Sequence, residues 1–326
     1  MTQISLFDTL PDGRPVQAIR LRGPRLSATL LTLGATVQDL RLEGVAHPLV
    51  LGFPNLAPYF AGGLYVGALV GRVANRIGAA RFLLDGREIR VDANEGANFL
   101  HGGQDGIHHH IWAVEDIGTD HVVFSLLLPD GHMGFLGQLS IRAAISVAGD
   151  ALSFDLSATS DAATPVNLAH HGYFCLDDSG DIRGHQLQVA ADHWLPVDAG
   201  LIPTGDVAPV EGTGFDFRSA RRIGSSGYDH NLCLAIARQP LRPVAVLKGQ
   251  SGIRMEVETT EPGLQIYDGR HFNGLPGLDG RRYDGYAGIA LETQLWPDAV
   301  NQAGFPDTIL RPGETYRAMT RYRFYR

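Results

Sequence analysis

Apolar and polar residues alternate along much of this chain. Leu139, Ile141, Ala143, Ile145 and Val147 occupy every second position, and after Gly149-Asp150 the spacing resumes at Leu152, Phe154, Leu156 and Ala158. Period two on both sides of a short turn predicts a β-hairpin. Residues 81–91 repeat the pattern around Asp85-Gly86, a dipeptide that tolerates the positive φ of a tight hairpin turn. Ile253, Met255 and Val257 alternate in the same way. So does the closing run Tyr316, Ala318, Thr320, Tyr322, Phe324, with Arg317, Arg321 and Arg323 on its other face. Such strands bury one face and wet the other. No stretch sustains the apolar spacing of three and four residues that a long helix needs, and 40 glycines and 18 prolines are spread through the 326 residues. No repeat, low-complexity tract or charged linker marks a boundary. The pattern therefore predicts an all-β fold: one large antiparallel β-sandwich over residues 1–326, a single domain with few short helices.

Charge and cysteine content narrow the partners. Lys and Arg number 27 against 35 Asp and Glu, a net charge of -8, and the basic residues are scattered apart from Arg317, Arg321, Arg323 and Arg326 near the end. That balance argues against nucleic acid or an anionic membrane as the partner. Cys175 and Cys233 are too few for a disulfide scaffold and lack the paired spacing of a zinc ribbon. They fit a reducing compartment. The segment from Met1 to Asp8 has no basic region followed by an apolar core, and no run of ~18 apolar residues occurs. A soluble, cytoplasmic protein is expected, either monomer or homodimer.

Five segments carry more polar chemistry than strands and turns require. Gly288-Ile289-Ala290-Leu291 reads as a strand and delivers Glu292, Gln294 and Trp296 before Pro297, with Asn301 beyond. A carboxylate at such a strand end can serve as a general base, an amide can bind hydroxyls and an indole can cover a sugar ring. Asn75 and Arg76 lie among small and apolar residues, where an arginine needs a protein carboxylate or a polyhydroxylated ligand. His101 precedes Gly102-Gly103, glycines that let the backbone approach either a ligand or another strand. His170 and His171 are neighbours, so on a strand only one of them faces a given pocket, where it would be a proton donor near neutral pH. Asp229 and Gln265, on alternating segments, are placed to bind hydroxyls or to orient a histidine, or else to cap a turn or line an edge strand. The run His108-His109-His110 invites a metal reading. Three consecutive residues rarely converge on one ion, however, and no familiar zinc spacing accompanies them, so no metal is expected.

Together the segments GRVANRI, NFLHGG, HGYF, YDHNL, GLQIY and LETQLWPDAVNQ, in this order between about Gly67 and Gln302, resemble the aldose 1-epimerase (galactose mutarotase) family. The resemblance implies a large β-sandwich of antiparallel strands, in agreement with the alternation. It also implies a catalytic base at Glu292, an acid at His171, and sugar-binding residues at Asn75, Arg76, His101, Asp229 and Gln265. Two positions depart from the family pattern: His170 stands where an asparagine is common, and Gly172 where a serine is common. The implied reaction interconverts the α and β anomers of a free aldose by general acid and base ring opening, with no cofactor and no metal. Two other readings stand beside it. An epimerase acting on a sugar phosphate would use surplus arginines such as Arg218, Arg221, Arg222, Arg281 and Arg282 at the pocket rim, and a sugar-binding module would need neither proton-transfer residue.

Overall fold

The computed structural model describes residues 3–60 and 65–326; Met1 and Thr2, the start of the segment read for a leader, lie outside the described residues. The two long alternating runs pair as expected. Leu139–Ala148 and Ala151–Ser160 form a hairpin in continuous register from Leu139 opposite Ser160 to Ala148 opposite Ala151. Asp85 and Gly86, at φ 49° and 79°, turn Arg81–Leu84 into Arg87–Arg90.

These hairpin strands Leu139–Ala148 and Ala151–Ser160 belong to a nine-stranded sheet, beside its central strand, the closing Tyr316–Tyr325, which is followed by Arg254–Thr259 and Arg242–Lys248. Tyr316, Ala318, Thr320, Tyr322 and Phe324 are buried along the closing strand while its arginines face outward. Packed on the inner face is a six-stranded sheet ordered Tyr173–Phe174, Ile289–Gln294, Gly263–Tyr267, Asp229–Cys233, His193–Trp194 and Ala208–Pro209. The two sheets share one apolar core that includes Phe154, Tyr322, Phe324, Leu264, Ile266 and Leu291. Phe174 and Tyr322 meet across it with ring centres 4.8 Å apart. An N-terminal sheet of Ile4–Thr9, Pro15–Arg22, Leu26–Leu31 and Thr36–Leu42 extends this core. Helical structure among the described residues is limited to short 3-10 turns, and no helix is long and apolar enough to cross a membrane.

One consequence of this layering decides where chemistry can occur. The strand Ile289–Gln294 is buried along its whole length, so both of its faces are covered. Thr293 meets Thr320 of the larger sheet, which turns Glu292 to the opposite side.

Candidate active site

The outer face of the six-stranded sheet is the floor of a cleft. Antiparallel register lays out two rungs: Asp229, Tyr267, Ala290 and Tyr173 lie side by side, and the next rung is Asn231, Gln265 and Glu292. His171 precedes Tyr173 by two residues and therefore shares its face, with ring centres 5.1 Å apart. Alternation sends His170 the other way. Its ring stacks on Phe154 of the larger sheet at 4.3 Å, and its Nδ1 lies 3.4 Å from the Tyr322 hydroxyl.

The walls come from two motifs that the fold joins. Arg76–Ile77 pairs with Phe99–Leu100, which sets His101 against Asn75. The His101 amide donates to the Asn75 carbonyl at 3.0 Å, and the Asn75 amide, held at φ 60°, donates to His101 Nδ1 at 3.1 Å. Burial, with His171 and Arg76 nearby, holds the His101 pKa well below its ordinary value. Neutral and accepting at Nδ1, His101 must carry its proton on Nε2, as a hydrogen-bond donor. Gly102 is needed for a different reason from ligand approach: at φ 100°, a Cβ there would lie 1.9 Å from the Gly71 carbonyl oxygen. The close partner is the backbone just past the strand Leu69–Val70.

Tyr65, Asn75, Arg76, Glu95, His101, His171, Tyr173, Leu201, Asp229, Tyr267, His271 and Glu292 enclose a cleft of about 250 Å³. Small-molecule sites run from about 300 Å³ upward, so this space suits one small ring and not a chain of them. At its centre His171 Nε2 lies 3.5 Å from Glu292 Oε1, both side chains almost fully buried. Around this pair runs a chain of charge-assisted contacts. Glu95 grips Arg76 through two bonds of 2.6 and 2.8 Å, Arg76 Nη1 lies 3.7 Å from Asp229 Oδ2, and Gln265 Nε2 donates to Asp229 Oδ1 at 2.6 Å. Glu292 Oε2, His171 Nδ1 and Gln265 Oε1 have no protein hydrogen-bond partner among the described residues. Unspent polar atoms around a small void are what a polyhydroxylated ligand would occupy.

Burial and the neighbouring Asp229 carboxylate push the Glu292 pKa well above its ordinary value, against the pull of Arg76. Burial pushes His171 down. His101, His171 and Glu292 also offer ligand atoms within 4.8 Å of one another, so the group that fits proton exchange has room for a cation as well.

Six of the seven residues expected from sequence line the cleft. The seventh, Gln265, reaches it through Asp229. Three other expectations are corrected. Trp296 is not in the cleft: its ring packs on Phe305 beside Leu195 and Cys233, and its Nε1 donates to the Pro262 carbonyl. Asn301 spends its amide on the Arg81 carbonyl and Asp298. Gln294 is fully buried and also lies outside the cleft. Sequence reasoning missed Tyr65, Glu95, Leu201 and His271 as walls. Tyr173 was within reach, because period two from His171 places it on the same face. His271, whose Nδ1 lies 2.9 Å from the Tyr267 hydroxyl, comes from an irregular loop with no periodic signal.

A family model described as aldose 1-epimerase matches residues 17–323. The chain is 40% identical to galactose mutarotase from Rattus norvegicus over 98% of this chain and 97% of that protein. To aldose 1-epimerase of Escherichia coli strain K12 it is 35% identical over 96% of each. An aldose epimerase homologue from C. elegans superimposes with a TM-score of 0.88 at 29% identity, covering 94% of this chain and 98% of that one. A galactose 1-epimerase structure from Lactobacillus acidophilus gives 0.86 at 27% identity, covering 99% and 98%.

Proposed function

The chain belongs to the aldose 1-epimerase family, and from that premise we propose that Glu292 is the base and His171 the acid that open and reclose the ring of a free aldose such as galactose. The observation that carries the assignment is the buried contact of 3.5 Å between Glu292 Oε1 and His171 Nε2. The two oxygens that must exchange protons, the anomeric hydroxyl and the ring oxygen, are both bonded to C1. An acid and a base serving them must therefore lie close together, and general catalysis needs each within hydrogen-bond reach.

Glu292 takes the proton of the anomeric hydroxyl while His171 gives one to the ring oxygen. The bond from C1 to the ring oxygen breaks, its electrons going to that oxygen, and C1 becomes an aldehyde carbon. Rotation about the C1–C2 bond presents the other face. Reclosure reverses both transfers, so the pair ends as it began. His101 Nε2–H, Arg76, Asp229 and Gln265 hold the remaining hydroxyls, Asn75 holds His101 in place, and Tyr173 and Tyr267 supply apolar faces beside the ring.

A phosphorylated sugar fits less well. Among the described residues, Arg76 is the single arginine lining the cleft and is committed to Glu95, while Arg281 is held by Asp178, Arg218 by Asp216 and Arg282 by Asp284. A module that only binds sugar would have no use for a buried acid and base in contact. We read the enzyme as cytoplasmic, in keeping with the free buried thiols of Cys175 and Cys233.

Polarimetry on freshly dissolved α-D-galactose tests the proposal. The protein should speed the approach to anomeric equilibrium, and Glu292→Gln and His171→Asn should each lose ~10²–10⁴-fold in kcat. Folded variants that turn over at the wild-type rate would refute the assignment.

A further inference from the structure

The consecutive histidines do not converge on one point, but the fold brings another histidine to them. His109 Nδ1 turns to the Gln104 carbonyl, and the His108 ring packs against Tyr65. His110 instead faces Asp105, five residues earlier, with Nε2 3.3 Å from Oδ1 and 3.1 Å from the backbone carbonyl. From the separate turn His132–Gly134, His132 Nε2 lies 3.2 Å from the other oxygen, Oδ2. All three residues offer ligand atoms within 4.8 Å of one another.

We propose that Asp105, His110 and His132 form a binding site for one divalent transition-metal ion of the zinc class, separate from the sugar cleft. Ligands at about 2.0–2.2 Å around a tetrahedral ion stand about 3.3–3.6 Å apart. The two nitrogen-to-carboxylate separations are already close to that edge, so an ion needs small side-chain rotations and no backbone change. Two imidazoles and a carboxylate are a donor set for zinc, nickel or cobalt, and three protein ligands leave a position open to water. The His132 side chain is 9% exposed and that of His110 24%, while Asp105 at 55% leaves an entry path from solvent. Two nearby guanidinium groups have partners of their own. Arg14 is paired with Asp12, and Arg72 bonds the Leu136 and Gly137 carbonyls.

The ion would tie two loops together. The Asp105 amide already donates to Met133 Sδ at 3.4 Å. The segment so fastened begins at His101, which lines the cleft, so occupancy should stabilise that wall.

Isothermal titration of the metal-stripped full-length chain with zinc chloride is the test, supported by the visible absorption of a cobalt(II) derivative. The expected result is one ion per chain and a Tm rise of about 4 °C at zinc about 100 times Kd. His132→Gln and Asp105→Asn should each weaken binding at least tenfold and leave mutarotation without added metal unchanged. His171→Asn should still bind one ion. No binding, or binding lost in His171→Asn and kept in both other variants, would overturn the proposal; the second outcome places the ion among His101, His171 and Glu292.

Discussion

His170 and Gly172 flank the proposed acid, and the structure makes them a coupled pair. A Cβ on residue 172 would stand 2.4 Å from His170 Cε1 and 3.0 and 3.1 Å from its ring nitrogens. The ring itself is held by the stack on Phe154 and cannot retreat freely. Gly172→Ser should therefore overpack the site and cost about 1–3 kcal/mol, or roughly 1.5–4 °C in Tm for a chain of this size. His170→Asn alone forfeits the aromatic contact and leaves a void, at a cost of about 1–2 kcal/mol. Combined, the serine enters the space the imidazole vacated. The double variant, which restores the pair common in the family, should be more stable than the sum of the single changes by about 1–2 kcal/mol. Urea denaturation of the four proteins measures this coupling. Additivity within about 0.5 kcal/mol would refute the reasoning, because sites in real steric conflict cannot be independent. Kinetics give a second check: His170 faces the core, so His170→Asn should keep kcat within a few-fold, while Gly172→Ser should lower it by displacing His171.

Activity should follow a bell in pH, because the productive pair holds one proton between Glu292 and His171. With Glu292 shifted up and His171 down, kcat/KM should fall on the acid side below the ordinary histidine value, and on the alkaline side above the ordinary carboxylate value. A rate rising steadily with pH would count against it. The double variant Glu292→Gln, His171→Asn should be little slower than the worse single one, since the two act as a unit; multiplied losses in polarimetry would contradict that. Glu95→Gln loosens the bidentate grip on Arg76 and should raise KM for galactose several-fold with kcat nearly kept. Trp296→Phe, outside the cleft, should leave KM unchanged and lower Tm through the lost bond to the Pro262 carbonyl.

Alternation carried most of the fold and one face of the site. Period two is a property of the strand itself, so the hairpin of residues 139–160, the closing strand and the separation of His170 from His171 could be read without any tertiary knowledge. The same periodicity reaches Tyr173 once His171 is placed. It stops where the strand stops: Trp296 lies past the end of Ile289–Gln294, and its direction is set by the apolar cluster around Leu195 and Phe305. Glu95, Leu201 and His271 arrive on loops whose paths depend on contacts far away in sequence. His132 meets Asp105 for the same reason, across 27 residues.

The electrostatics of the cleft bear on why such a pair suits ring opening. Glu292 with a proton and neutral His171 hold the same number of protons as ionised Glu292 and cationic His171, so the two forms differ by one transfer across the 3.5 Å contact. Burial raises one group and lowers the other, and both shifts favour the uncharged form over the charged one. The proposed reaction starts from the charged form, in which Glu292 can take a proton and His171 can give one. Both hold if the transfer precedes reaction, because ring opening then returns the pair to the uncharged state that burial prefers. A bound sugar that displaces water strengthens this preference, and so stabilises the open-chain aldehyde complex relative to the closed ring with its charged pair. On the proposed assignment, the intermediate common to both anomers is therefore the species that the uncharged pair favours.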